Sequence, residues 1–256
     1  MSAFPADDGL WCRRFDPAPE AAHRLVCFPH AGGSASYYRP VATALSPRVD
    51  VVAVQYPGRQ DRRNEPLIDD IGTLADQVHQ ALRGWDDRPL TFFGHSMGAL
   101  VAFEVARRFE REGGGPVRLF ASGRRAPSRH RDENVHRRDD DGIIAEVKSM
   151  SGTDDRLLGD EELIRMILPA LRGDYRAVET YRSAPGATVE CPVTALVGDS
   201  DPKTSVDEAQ DWEKHTTADF DLRIMPGGHF YLNSRAADVL KALDDHFTAR
   251  TALQDT

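Results

Sequence analysis

Short β-branched and aliphatic runs alternate with amphipathic stretches from residue 24 almost to the end of the chain, and this rhythm admits few architectures. "RLVCF" (24–28), "VDVVAV" (49–54), "LTFF" (90–93), "VRLFAS" (117–122), "VTALVG" (193–198) and "DLRIM" (221–225) read as buried strands, several of them stopped by Gly- or Pro-containing turns. Helical patterns lie between them, around Tyr37–Leu45, from Ile71 to Arg83, from Met97 to about Arg111 and from Arg235 to about Ala249. In the second of these, Ile71, Leu74, Ala75, Val78 and Leu82 recur three or four apart and share one face. Strands feeding helices at this spacing predict an α/β fold, a mostly parallel central sheet covered by helices on both faces.

One interval breaks the rhythm. Between Gly123 and Pro185 there is no strand run, only helical patterns such as "GIIAEVKSM" and "EELIRMILPALRGDYRAVETY". The expectation is a helical lid inserted over residues 124–185 at the C-terminal edge of the sheet, within one domain spanning 1–256. A chain of this length can build one large core, and no repeat or low-complexity linker divides it.

At the end of "LTFF" the sequence reads "GHSMG", with Ser96 between Gly94 and Gly98 and a helical pattern directly after. A nucleophile on so sharp a strand-to-helix turn needs small neighbours two residues away on either side. The five-residue pattern alone is common, and its context gives it weight. A serine hydroxyl needs a base, and the base needs an orienting carboxylate, here in the chain order Ser, acid, His. Of the histidines after Ser96, His130 and His136 sit in a charge-rich stretch, and His215 and His246 are expected on polar helix surface. His229 follows "MPGG" directly after a strand and is the expected base, whereas His95 beside the serine is expected to pack. For the acid, "LVGDSDPKTS" offers Asp201, held extended by Pro202, with Asp199 as the alternative. The oxyanion is expected to be held by the backbone N–H groups of Met97 and, from the loop "PHAGG", of Ala31. That loop matches neither a dinucleotide fingerprint nor a phosphate-binding loop with its lysine.

The totals exclude several other classes. A formal charge of -9 opposes general nucleic-acid binding and docking on anionic membranes. No uncharged stretch is long enough to span a bilayer, and "MSAFPADDGLWCRRF" lacks the layout of an export signal. Cys12, Cys27 and Cys191 form no zinc spacing, so no metal or cofactor is expected, and a cytoplasmic location fits best.

Taken together, "FPHAGGSASYY", "YPGR", "FFGHSMGALVAFEVAR", "LVGDSDP" and "PGGHFYL" resemble the type II thioesterases of polyketide and nonribosomal peptide synthesis, in order and spacing from about Arg24 to the last helix. The resemblance implies an α/β-hydrolase fold with a helical lid, a Ser96–Asp201–His229 triad and an oxyanion hole from Ala31 and Met97. It also implies a substrate, an acyl group held as a thioester on the phosphopantetheine arm of an acyl carrier protein or domain. The task would be editing of stalled chains by a discrete enzyme acting in trans. The rival readings are a serine esterase or amidase on small molecules, an acyltransferase, and a non-catalytic protein that binds carriers. Arg59, Arg124 and Arg125, each in a segment after a strand, are candidates for a local basic patch for the carrier or its phosphate, the alternative being a solvated, mobile loop.

Overall fold

A computed structural model describes residues 8–150 and 161–254. Residues 1–7, part of the stretch read as lacking an export signal, and 151–160 of the expected insertion lie outside the described residues. Seven strands form one sheet among the described residues: β1 (Cys12–Arg13), β2 (His23–Phe28), β3 (Val49–Val54), β4 (Leu90–His95), β5 (Arg118–Ser122), β6 (Val193–Gly198) and β7 (Phe220–Met225). Their spatial order is β1-β3-β2-β4-β5-β6-β7. Only β1 runs antiparallel to its neighbour, and the other pairings are parallel. The six apolar runs all became strands; β1 went unread because two residues carry no periodicity.

Every residue of β2, β3, β4 and β6 is buried, as a sheet covered on both faces requires. Successive side chains of a strand point to opposite faces. Accordingly Val26 and Phe28 join one apolar cluster with Leu74, Val78 and Leu100. Leu25 and Cys27 join another with Tyr38, Leu45 and Phe247. Each such side chain contributes about 1.5–3 kcal/mol by leaving water.

The helices are α1 (Asp8–Trp11), α2 (Arg39–Leu45), α3 (Ile71–Leu82), α4 (Met97–Arg111), α5 (Asp140–Ser149), α6 (Glu161–Thr180), α7 (Val206–Gln210), α8 (Tyr231–Ser234) and α9 (Ala236–Gln254). The start of α3 is fixed by Asp70, whose side chain accepts the Thr73 N–H at 2.7 Å, and the face read from sequence is buried. Between β5 and β6 the described residues hold α5 and α6 and no strand. These helices share a third apolar cluster, in which Val135, Ile143, Val147, Leu168 and Leu171 meet Phe230 from the loop after β7.

Two of the histidines expected on polar surface are not there. His215 is 5% exposed, its Nδ1 2.8 Å from the Ala187 carbonyl and its Nε2 2.8 Å from Ser128 Oγ. The polar sequence around it closes into a 3-10 turn that buries Trp212 and carries His215 inward. His246 is half-buried on α9 and bonds Thr91 Oγ1 at 3.0 Å.

β3 and β4 flank β2 on opposite sides, so the chain reverses direction across the sheet in passing from β3 to β4. The loops after β2 and β4 therefore open side by side at the C-terminal edge, the point where open α/β sheets bind ligands.

Candidate active site

Ser96 stands between β4 and α4 with φ 53° and ψ −116°, a conformation side chains rarely adopt. Such a residue costs about 1–3 kcal/mol and persists where its surroundings over-determine it. Here the Ser96 N–H donates to the Ser122 carbonyl of β5 at 2.8 Å, and its own carbonyl accepts the Ala99 N–H at 3.1 Å. The flanking glycines have a concrete reason. A Cβ on Gly94 would lie 2.2 Å from the Gly98 carbonyl oxygen, and one on Gly98 would lie 2.0 Å from that of Phe28. The backbones of β4, α4 and β2 thus close around the serine without side chains between them.

The base and the acid arrive together because their loops are zipped. The β6–β7 pairing ends at Gly198 opposite Met225. It is prolonged by the Asp199 N–H to the Met225 carbonyl at 2.9 Å and the Ser200 N–H to the Gly227 carbonyl at 3.1 Å. His229 Nε2 lies 3.0 Å from Ser96 Oγ, and its Nδ1 lies 3.0 and 2.9 Å from the two carboxylate oxygens of Asp201. Asp201 Oδ1 also accepts the Lys203 N–H at 2.7 Å, which fixes the carboxylate. Asp199, the alternative acid, instead accepts the Gly227 N–H at 3.0 Å and clamps the histidine loop. An imidazole held this way can take a proton from the hydroxyl while the carboxylate steadies the resulting charge.

Ala31 lies in the loop after β2 and lines the same cavity as Ser96 and His229. The neighbouring amides are engaged, Gly33 N–H by the His30 carbonyl at 2.9 Å and Gly32 N–H by Asp174 Oδ2 at 2.7 Å. The Ala31 amide has no acceptor among the described residues. Met97 opens α4, where backbone N–H groups lack acceptors within the helix.

Asp174 was not singled out from the sequence. It sits on α6 and pairs with Arg59, while Arg59 donates to the Gly33 carbonyl at 3.0 Å and to the Pro57 carbonyl at 2.7 Å. One buried carboxylate therefore ties the inserted helix to the loop that carries Ala31. Its signal was a carboxylate three residues from Leu171 and four before Val178, on the apolar face of the helix.

The remaining buried polar groups back the histidine. His95 Nδ1 pairs with Ser122 Oγ at 2.9 Å, Ser122 Oγ with the Tyr231 hydroxyl at 2.5 Å, and the His95 ring lies 5.1 Å from that of His229. Burial, reinforced by His229, holds His95 well below the usual imidazole range. Burial, with His229 and Arg59 pushing the same way, brings His30 to about 3. Both rings are neutral at working pH, which spares His229 two cationic neighbours. The packing of His95 agrees with the expectation from sequence, and His30 packs likewise between the rings of Tyr37 and Phe230.

The cavity over Ser96 measures about 680 Å³. Val147, Ile167, Leu171 and Phe230 give it an apolar wall from the inserted helices and the loop after β7, while Arg59, Arg124 and Lys203 bring cationic side chains to its lining. No group of three metal-ligating side chains occurs among the described residues, and no helix among them is long and apolar enough to cross a membrane.

The expected basic patch needs correction. Arg59, Arg124 and Arg125 are 6%, 9% and 1% exposed, so none presents its charge to the surface. Arg59 is neutralised by Asp174, and Arg125 bonds Glu133 Oε2 at 2.7 Å. The segment carrying Arg124 and Arg125 is held down by Trp212 Nε1, which donates to the Arg124 carbonyl at 2.7 Å, and by Arg125, which donates to the Lys203 carbonyl at 3.0 Å.

Residues 23–247 match the thioesterase domain family. The chain is 57% identical over 229 residues to the "Probable cadicidin biosynthesis thioesterase" of Streptomyces griseus, covering 89% of this chain and 63% of that protein's length. It is 51% identical over 251 residues to "Thioesterase PikA5" of Streptomyces venezuelae, covering 97% of this chain and 89% of that one. Among solved structures, the type II thioesterase BorB from the borrelidin biosynthetic cluster superposes with a TM-score of 0.89 at 50% identity, covering 93% of this chain and 98% of BorB.

Proposed function

This chain belongs to the thioesterase domain family, and from that premise we propose that it hydrolyses acyl groups carried as thioesters on the phosphopantetheine arm of polyketide or nonribosomal peptide carrier domains. The partner synthase would thus be cleared of stalled chains, the task the resemblance implies. The observation that carries the reading is the Ser96 Oγ to His229 Nε2 distance of 3.0 Å at the floor of a cavity with an apolar wall. Names of relatives from antibiotic-type assembly lines support the choice of substrate class.

The proposed steps follow from the geometry. Ser96 Oγ attacks the thioester carbonyl carbon as its proton passes to His229 Nε2, and Asp201 stabilises the imidazolium through Nδ1. The oxyanion lies between the Ala31 and Met97 amides, each such donor being worth roughly 3 kcal/mol in the transition state. The C–S bond breaks, and the departing sulfur takes the proton from His229. Water, deprotonated in turn by His229, attacks the acyl-serine, and the acid leaves as Ser96 regains its proton. A thioester has weak carbonyl resonance and a good leaving group, so these residues suffice for the chemistry. The inserted helices act as a lid whose apolar wall receives the acyl chain.

Single-turnover hydrolysis of an acyl-carrier protein and of a short acyl thioester, wild type against Ser96→Ala, tests the reading. A carrier-dependent rate that falls at least about 10⁴-fold in the variant is expected. Turnover confined to oxyesters, or retained by Ser96→Ala, refutes it.

A further inference from the structure

A second row of buried polar groups joins the two chain segments that carry Ser96 and His229. Tyr231 opens α8, two residues after His229, and is 1% exposed. Its hydroxyl lies 2.5 Å from Ser122 Oγ, and that oxygen lies 2.9 Å from His95 Nδ1. His95 directly precedes Ser96 in the chain, so the row starts beside the base and ends beside the nucleophile. The main chain of Ser122 reinforces it, since its carbonyl accepts the Ser96 N–H at 2.8 Å.

Packing alone does not call for the Tyr231 hydroxyl. The ring lies in an apolar cluster with Phe93, Phe120 and Leu196, where phenylalanine would bury the same ring without a polar atom to satisfy. Burial raises the phenol above its ordinary range, so it keeps its proton and stays neutral. Ser122 is fully buried as well, and a hydroxyl, with one donor and two acceptor sites, can serve both neighbours at once. The row also gives His229 an anchor on each side. Gly227, two residues before it, is clamped by Asp199 Oδ1 at 3.0 Å and by the Ser200 N–H at 3.1 Å. Tyr231, two residues after it, is tied to β5.

We infer that Tyr231 and Ser122 are positioning residues that set the alignment of His229 Nε2 on Ser96 Oγ. The inference rests on the Ser96–His229 reading above. The contacts form a closed circuit, from Ser96 Oγ to His229, along the chain to Tyr231, across to Ser122, and back to Ser96 through its amide. Each link fixes the others, so the serine and the imidazole are held at one separation before substrate arrives. Opening the circuit at the Tyr231 hydroxyl leaves Ser122 Oγ its His95 partner and leaves the Ser96 amide on the Ser122 carbonyl. Only the tether on the histidine loop is lost. A displacement of about 1 Å of a catalytic group can cost on the order of 10²-fold in rate.

The test measures the rate of Ser96 phosphonylation by a fluorophosphonate, and kcat and KM on a butyryl N-acetylcysteamine thioester, for wild type, Tyr231→Phe, Ser122→Ala and Val239→Ala. Val239 lies on α9 in the same apolar cluster as Tyr231 and serves as the packing control. Counting sites by complete phosphonylation gives kcat per folded active site, so any loss of folded enzyme cancels. Tyr231→Phe is expected to slow phosphonylation and kcat by roughly 10- to 100-fold while KM stays within about 2-fold. Ser122→Ala, which also strips His95 Nδ1 of its partner, should lose more, and Val239→Ala should change either rate by less than about 2-fold. Rates for Tyr231→Phe within about 2-fold of wild type, or a Val239→Ala variant as slow as Tyr231→Phe, overturn the inference. So does a rise in KM at constant kcat, which assigns the hydroxyl to substrate binding. Wild type whose Ser96 is phosphonylated but which turns over no thioester refutes the thioesterase reading instead, and the phosphonylation rates still decide the role of Tyr231.

Discussion

Asp174→Ala removes one carboxylate from the seam between the inserted helices and the core. The Asp174 and Arg59 side chains are 2% and 5% exposed, so water cannot replace the lost partner. Breaking a buried ion pair from one side costs about 3–5 kcal/mol, because the surviving charge is left buried. At about 2–4 °C per kcal/mol for a chain of this size, the melting midpoint should fall by roughly 6–20 °C. Urea or thermal unfolding at fixed pH measures it. The double variant Arg59→Met with Asp174→Leu should recover most of that loss, since no uncompensated charge remains. A second readout separates charge from position. Asp174→Asn retains an acceptor for the Gly32 N–H, now at 2.7 Å. Its kcat should stay within about 3-fold of wild type, while Asp174→Ala, which frees the Ala31 loop, should lose at least about 10-fold in kcat. A cost below about 1 kcal/mol for Asp174→Ala, or a double variant no more stable than the single one, refutes the charge argument. Equal kcat in the Ala and Asn variants refutes the coupling to the loop.

Two further outcomes follow from the site. Asp201→Ala should lower kcat about 10³–10⁴-fold, whereas Asp199→Ala should change it by less than about 10-fold and mainly lower stability; steady-state kinetics on one thioester decides. Burial raises the Glu133 carboxyl, but Arg125 and Lys203 outweigh it and bring it to about 2 when folded against 4.5 as its ordinary value, so it binds its proton later than in the unfolded chain. Its contribution is therefore full above about pH 4.5 and fades as pH falls toward 2. Melting midpoints of wild type and Glu133→Gln should differ by a constant amount above about pH 5 and converge below it, and a gap that widens in acid contradicts the assignment.

The strand-helix alternation, the constrained turn around Ser96 and the histidine after "MPGG" were all legible in the residue order, because local periodicity and glycine sterics act over a few positions. The six apolar runs fell on β2 to β7, and the helical face of Ile71 to Leu82 turned inward as its spacing required. Pro202 favoured Asp201 over Asp199 in the residue order, but the partner of each acid came from the β6–β7 zipper, which sets Asp199 on the Gly227 N–H and Asp201 on His229. Side-chain burial was decided by tertiary structure as well. His215 looked exposed on its own short segment and is enclosed by Ala187 and Ser128 from distant chain. Arg59 and Arg125 read as part of a basic patch because sequence counts charges without locating Asp174 and Glu133, which draw them inward; Arg124 is buried with no carboxylate paired to it among the described residues. Glu133 lies eight residues from Arg125, but Asp174 lies 115 from Arg59. The residue order carried the elements and the tight turn at Ser96 through short-range sterics; long-range packing decided burial and the distant pairs such as Arg59 with Asp174.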